Sequence, residues 1–379
     1  KLSWATQILS VMESEKREKP SGPETRAAQV SDGSEKPAND YVIRVLDSVA
    51  DVPREIWNSL LENEADPSPF VRHEYLSALH HSGCAITATG WRPQVLTLWL
   101  DDRLQAACAI YLKSHSWGEY VFDWAWAQAH EQHGLPYYPK ALVAVPFTPV
   151  PGARLLARSA RDRAALLQAL LHWTREQNLS SLHLLFAGEQ DLHACTDAGL
   201  MLRHTVQFHW RNGPSGNGHT DFDAFLGSLQ QEKRKKIRQE RRKVSSAGVT
   251  IRCLQGDDIG DADWDFFFQC YAQTYREHGN PPYLNRGFFR QVARDMPGHW
   301  LLFIAERQGR PIASSLIGLD PVQRVAYGRY WGATERVDCL HFELCYYQPI
   351  EWCIANGYRR FEGGAPVSYT HLRAHETSL

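Results

Sequence analysis

Two stretches of this chain place an imidazole near a carboxylate, a pairing suited to proton transfer. His115 and Glu119 lie in the run from Lys113 to Asp123, and His341 and Glu343 stand at the predicted start of a helix. Acylating an amine requires a base for the amine proton and often an acid for the leaving group. The donor carbonyl must be polarised by a backbone N–H or a cation, and donor phosphates are held by N–H groups or cations. Glu343 or Glu119 is the expected base, with His341 or His115 as its partner. Each carboxylate also has a structural reading. Lys113, His115, Glu119 and Asp123 can form a hydrogen-bonded network on one face of a strand, and Glu343 can serve the helix dipole.

Other side chains surround these two stretches. Tyr137, Tyr138 and Lys140 line the same cleft as Lys113 or pack a loop. Thr148, Gly152 and Arg154 occupy a loop between a strand and a helix, in which Pro149 and Pro151 remove two N–H donors. Arg329 can meet a phosphate or carboxylate bidentately or sit in a buried ion pair. Tyr330, Trp331, Tyr346 and Tyr347 are aromatic candidates for the substrate. Glu343 and Tyr347 share a helix face at i, i+4. Pro349 is expected to kink that helix. His209 and Trp210 face a groove or are satisfied within the core.

The densest charge run is Lys233 to Lys243. Phe222, Leu226, Leu229, Ile237 and Val244 recur at helical spacing, so one helix is expected to bury that stripe and leave a cationic face. Lys233, Arg234 and Arg238 would hold donor phosphates or contact tRNA, with affinity falling steeply in salt; a solvated surface is the plain alternative. No aromatics interleave the cations, so base stacking is not implied.

Positioning these groups requires sheets with helices packed on them. Strands are expected at Tyr41–Leu46, Val95–Leu100, Gln105–Leu112, Glu119–Trp124, Leu142–Phe147 and Leu182–Phe186, with an Asp101-Asp102 turn. Helices are expected around Ile56–Leu61, Tyr75–Leu79 and Arg161–Glu176. The second half repeats the order: a hairpin from Trp300 to Gly318 across Gln308-Gly309, a strand at Arg324–Trp331, a helix from Leu340 to Asn356, and a last strand from Arg359. The Asn212–Gly218 loop is the predicted boundary between lobes spanning 41–213 and 219–366.

Composition narrows the classes. The chain has 379 residues, 43% hydrophobic and 22% charged, with a formal net charge of -2. This suits two globular domains and excludes a polyelectrolyte. Eight cysteines form no CxxC pair, so a zinc site is not expected and free thiols in a reducing cytosol are. Flavin and nicotinamide signatures are not evident, and no apolar run approaches a membrane span. Residues 1–40 read as disordered or non-native. Residues 367–379 resemble a translated sequencing adapter, so His371 and His375 are not taken as metal ligands.

The motifs resemble a bacterial family of predicted N-acyltransferases, the peptidoglycan biosynthesis/recognition proteins, which are similar to Fem aminoacyl transferases within the GNAT-like superfamily. The resemblance spans Val52 to Ala365. It is carried by Pro69-Phe70, His73-Glu74-Tyr75-Leu76, Thr89-Gly90-Trp91, Tyr111 to Trp124, Tyr137-Tyr138-Pro139-Lys140, Val145 to Val150, Gly152 to Leu156, Gln207 to Trp210, Tyr327 to Gly332 and Leu340 to Tyr347. It implies an α/β (α+β) protein of two tandem GNAT-like lobes, each a mixed β-sheet flanked by helices. It places Thr148–Arg154 at a donor-phosphate loop and Arg329–Trp331 on a donor strand. It also implies a continuation beyond Ala365 that this chain lacks. The implied activity moves an acyl or aminoacyl group from a CoA ester or aminoacyl-tRNA to an amine or peptide in peptidoglycan precursor metabolism, in the cytoplasm and with no permanently bound cofactor. The alternative is a non-catalytic module that recognises a cell-wall precursor or RNA.

Overall fold

The computed structural model describes residues 5–10, 41–121, 123–213 and 218–364. The adapter-like tail lies outside them, as does most of the N-terminal segment. Ala5–Ser10 (β1) is described as a strand pairing antiparallel with two neighbours, a departure from the disorder expected there. Ladder bonding uses backbone groups alone, so a gap between strands can take in a segment whose side chains show no strand pattern.

The first sheet is built around a hairpin, β3 (Trp91–Leu100) and β4 (Arg103–Lys113). Asp101 and Asp102 both have positive φ, as a two-residue turn matched to strand twist demands. β2 (Val42–Leu46) flanks β3. β5 (Lys140–Val143) pairs with β4, and the short β6 (Leu156–Ala157) also meets β4. β7 (Leu182–Leu185) runs parallel to β5 after the crossover helix Ala160–Glu176, and β8 (Met201–Val206) lies beyond β1. Side-chain alternation sends Val95, Ala107 and Tyr111 to one core, against Trp57 and Leu60. Leu96, Leu98, Cys108 and Ile110 go to another, against Leu166 and Leu170.

The second sheet has the order β10 (Val249–Gln255), β11 (Trp300–Arg307), β12 (Arg310–Asp320), β13 (Val325–Ala333), β14 (Arg360–Gly364) and then β9 (Phe208–Arg211). β13 and β14 are parallel, so both sheets are mixed, as expected of tandem lobes. Because β9 pairs with β14, the chain changes sheets between Val206 and Phe208 and not at 213. His209 and Trp210 therefore belong to the second sheet.

Leu302, Ile304, Leu316 and Tyr327 join the same core as Trp57 and Tyr75, so one apolar core runs through both lobes. The helices Asp261–Glu277 and Arg286–Asp295 lie on this face. The opposite face packs Phe222, Leu226, Leu344 and Ile350 over Leu301, Phe303 and Ile317. Gly318 lets Phe70 of the first lobe press onto the second sheet, since a Cβ there would lie 2.7 Å from the Phe70 ring.

Three expectations need correction. Glu119–Trp124 is a loop leading into a helix, Trp124–Gln132, with Gly118 and Tyr120 at positive φ; that turn geometry is incompatible with a strand. The stripe from Phe222 to Val244 is carried by two helices, Phe222–Gly227 and Gln231–Ser246. Both still bury it, because hydrophobic spacing survives a turn placed between the helices. The third concerns Pro349. The chain from Leu340 to Ala355 passes through a π-helical turn at Glu343–Tyr347 just before this proline, and the wider turn accommodates the missing N–H.

Candidate functional site

Lys113 ends β4 and Lys140 begins β5, and the two are paired across the ladder. Both are fully buried. Lys140 Nζ donates to Glu119 Oε2 at 2.9 Å and Ser116 Oγ at 2.9 Å, and forms an ion pair with Asp123. Asp123 also accepts from Tyr137 at 2.7 Å and Ser116 at 3.0 Å, while Tyr138 bonds Ser116 at 2.7 Å. Burial raises the Glu119 pKa more than Lys140 lowers it. Burial also acts to raise Asp123, but the charge and hydrogen bonds of Lys140, with Tyr137 and Ser116, hold it below its ordinary value.

Lys113 has a different environment. Its ammonium lies 3.5 Å from the Trp91 ring centroid and donates to the Trp117 carbonyl at 3.3 Å. Burial, aided by the Lys140 charge, pushes its pKa down to about 7. His115 accepts from the Trp117 N–H at 3.2 Å. Glu119 turns instead to Lys140, so the expected Glu119–His115 relay does not form. The structure brings Lys113, Glu119, Tyr137, Tyr138 and Lys140 together, in a sealed network.

The Thr148–Arg154 loop has its amides engaged. The N–H groups of Thr148, Val150, Gly152 and Ala153 meet the carbonyls of Val145, Thr148, Phe186 and Asp66, and Arg154 N donates to Asp191 at 2.6 Å. The Thr148 hydroxyl bonds Tyr75 and the Pro146 carbonyl. The Arg154 guanidinium is buried and donates to the carbonyls of Val150, Gly152, Ala153 and Leu185. These three candidates hold the loop's shape and leave it no donor for phosphate.

On the far face of the second sheet, Glu343 is 3% exposed. Its Oε1 accepts from Arg241 Nε at 3.1 Å and Gln348 Nε2 at 2.8 Å. Arg241 also reaches Glu351 at 2.6 Å and covers the Phe222 ring. His341 packs edge-on to Trp331, Phe342 and Tyr346, and Tyr347 donates to Glu240. On the basic helix, Arg234 caps the carbonyls of Gly227 and Leu229, and Arg238 pairs with Asp223 at 3.2 Å. Lys233 is half-buried, whereas Lys235, Lys236 and Lys243 are exposed. Trp210 is buried against Phe225, and burial together with Arg211 and Arg360 lowers the pKa of His209.

Between the lobes, Phe147 stacks on Tyr283 at 4.9 Å and Tyr120 bonds Tyr275 at 2.8 Å. Both first-lobe residues sit at positive φ, a costly conformation for non-glycine residues and one that concentrates at functional sites. Arg329 enters this seam from β13, where Leu316 faces Tyr330 and Ile317 faces Gly328. Arg329 is therefore the extra residue of a β-bulge, a device that re-aims a side chain. Its guanidinium donates to the Phe147 carbonyl at 3.1 Å and the Tyr330 hydroxyl at 3.1 Å, near the rings of Phe70 and Tyr330. It has no ion-pair partner among the described residues, and its buried Nε has no acceptor.

The sequence matches the family model FemAB-like, described as peptidoglycan biosynthesis/recognition, over residues 48–378. The chain belongs to the FemAB-like family. The family match takes in most of the adapter-like tail as well as both lobes. No curated protein matches the chain. Among solved structures, FemX is similar at 11% identity with a TM-score of 0.50, covering 86% of this chain and 92% of FemX. L-PGS from Bacillus licheniformis follows at 12% identity and TM-score 0.47, covering 84% and 77%. A tandem GNAT protein from the clavulanic acid pathway has 11% identity and TM-score 0.44, covering 88% and 94%. For this FemAB-like chain the FemX likeness supports the fold alone.

Sequence reasoning did not single out Arg241, Tyr75, Tyr120 or Tyr275. Arg241 was within the basic run, but only its contact with Glu343, 102 positions away, distinguishes it. The tyrosines gave no local signal, because their grouping is a product of lobe docking.

Proposed function

We propose that this protein transfers an acyl or aminoacyl group to an amine in peptidoglycan precursor metabolism, with Arg329 in the interlobe seam acting on the donor carbonyl. Family membership supports the metabolic setting. The observation that carries the site is the bulge-presented Arg329, a cation with an Nε hydrogen awaiting an acceptor and no carboxylate to neutralise it. A neutral amine attacks the donor carbonyl carbon, and a C–N bond forms as the carbonyl π electrons move to oxygen. The guanidinium stabilises that oxygen. Collapse expels the CoA thiolate or the ribose oxygen, which takes up a proton, and the attacking nitrogen gives up a proton that returns to the group that donated it. The Tyr330 hydroxyl, which accepts from Arg329, is the proposed donor of a proton to this leaving group.

The test is turnover of labelled aminoacyl-tRNA and acetyl-CoA with a precursor peptide bearing a free amine. Arg329→Met is expected to lower turnover by about 100- to 1,000-fold, the cost of losing one oxyanion donor, with the fold retained by circular dichroism. Unchanged turnover removes Arg329 from the mechanism. The filled amides of Thr148–Arg154 favour a second reading for the first lobe, recognition without catalysis. Peptide binding with no transfer from either donor would give that reading precedence.

A further inference from the structure

A groove of about 660 Å³ opens on the face of the second sheet opposite the seam, between the helix Gln231–Ser246, the edge strand β10 and the helix Gln348–Ala355. One wall is apolar, formed by Leu226, Val244, Val249 and Ile251; Glu343, Glu351, Arg238 and Arg242 are among its polar lining.

The charges in this groove do not suit a polyphosphate. Arg238 is matched by Asp223. Arg241 faces two carboxylates, Glu343 and Glu351, which leaves one negative charge in excess at that end. Glu343 is 97% buried by its 3% exposure, and its Oε2 has no hydrogen-bond partner. A buried acceptor in that condition calls for a donor, and a residual negative charge selects a cationic one. Arg242, also on the groove wall, has no ion-pair partner among the described residues, so a positive charge is in excess there.

We infer that this groove is a binding site for a zwitterionic aliphatic amino acid or short peptide, its ammonium on Glu343 Oε2, its carboxylate on Arg242 and its side chain against Leu226, Val244, Val249 and Ile251. The volume falls in the range of small-ligand sites. A primary ammonium supplies the missing donors to Glu343, and the guanidinium suits a carboxylate bidentately. The aliphatic wall selects against a ligand that is charged throughout. The inference is independent of the transfer reaction, since the seam lies on the other face of the sheet.

The experiment is calorimetric titration of the whole protein with leucyl-alanine, its N-acetyl derivative and its C-terminal amide. The free dipeptide is expected to bind, and each capped form to bind about tenfold or more weakly, the worth of one charge-assisted hydrogen bond. Glu343→Gln should weaken the free dipeptide without changing the N-acetyl form. Arg242→Gln, at an exposed position that the fold does not need, should weaken the free dipeptide and leave the amide unchanged, so the proposal stays testable if the Glu343 variant misfolds. Equal binding of free and capped dipeptides, indifference to Arg242→Gln, or coenzyme A binding where the dipeptide does not would each overturn it. Arg329→Met should leave dipeptide affinity intact, so failure of the transfer reading and failure of this one are separable.

Discussion

The two charge clusters that drew attention in the sequence differ in their access to solvent. In the first lobe, Lys113, Lys140, Glu119 and Asp123 are all at most 3% exposed, and Lys140 lies between its two carboxylates. In the second lobe Glu343 is equally buried, but its partner Arg241 keeps 26% of its side chain exposed and Glu351 keeps 44%, on the wall of an open groove. Similar residue types thus do different work. The sealed cluster fixes the loop that ends at the seam, while the open one lies on the wall of a solvent-facing groove. A buried ion pair adds little net stability, yet removing one partner is severe because the other charge is stranded.

Lys140→Met should therefore have the largest effect. It leaves Glu119 and Asp123 buried without a cation, and a loss of about 3–5 kcal/mol is expected in denaturant unfolding. A loss under about 1 kcal/mol would show that water already reaches the cluster and that the contrast with the second lobe is wrong. Arg241→Leu should cost less, about 1–3 kcal/mol, because the groove lets water relieve Glu343. If it matches Lys140→Met, the two regions are energetically alike.

Lys113→Met has pH as its informative readout. The folded pKa of Lys113 is about 7 and the unfolded value is near 10.4. The unfolded chain thus binds more protons between these values, and this group's contribution to stability is full above the upper one and lost as pH falls toward the lower. The variant lacks that slope. Its stability relative to the parent should rise as pH is lowered from about 10 to about 7 and then level off. A difference independent of pH would mean that Lys113 keeps its charge throughout that range.

Much of the architecture could be read locally. The hairpins at Asp101-Asp102 and Gln308-Gly309 follow from turn chemistry beside alternating strands, and the helix Ala160–Glu176 from its apolar spacing. The site was less legible. Glu119 and Glu343, the expected bases, are both buried, but the expected Glu119–His115 relay does not form, and the prominent hydrogen-bond partners of the two acids are Lys140, Arg241 and Gln348. The segment Glu119–Trp124 reads as strand because aromatic residues favour strands in general, while the positive φ of Gly118 and Tyr120 leaves no ladder to join.

The sequence by itself determined the family, the two mixed sheets and the list of polar residues set among aromatics, because these depend on local periodicity, turn residues and motif text. The tertiary structure decided which polar residues remain available for chemistry. Lys113 and Lys140 are similar as text, but register brings carboxylates to one and a tryptophan ring to the other. Arg329 is one arginine among many until a single extra residue in β13 turns it into the seam. Such differences arise from contacts between residues far apart in sequence, 21 positions for Lys140 and Glu119 and 182 for Arg329 and Phe147, and they follow from how the sheets and lobes dock.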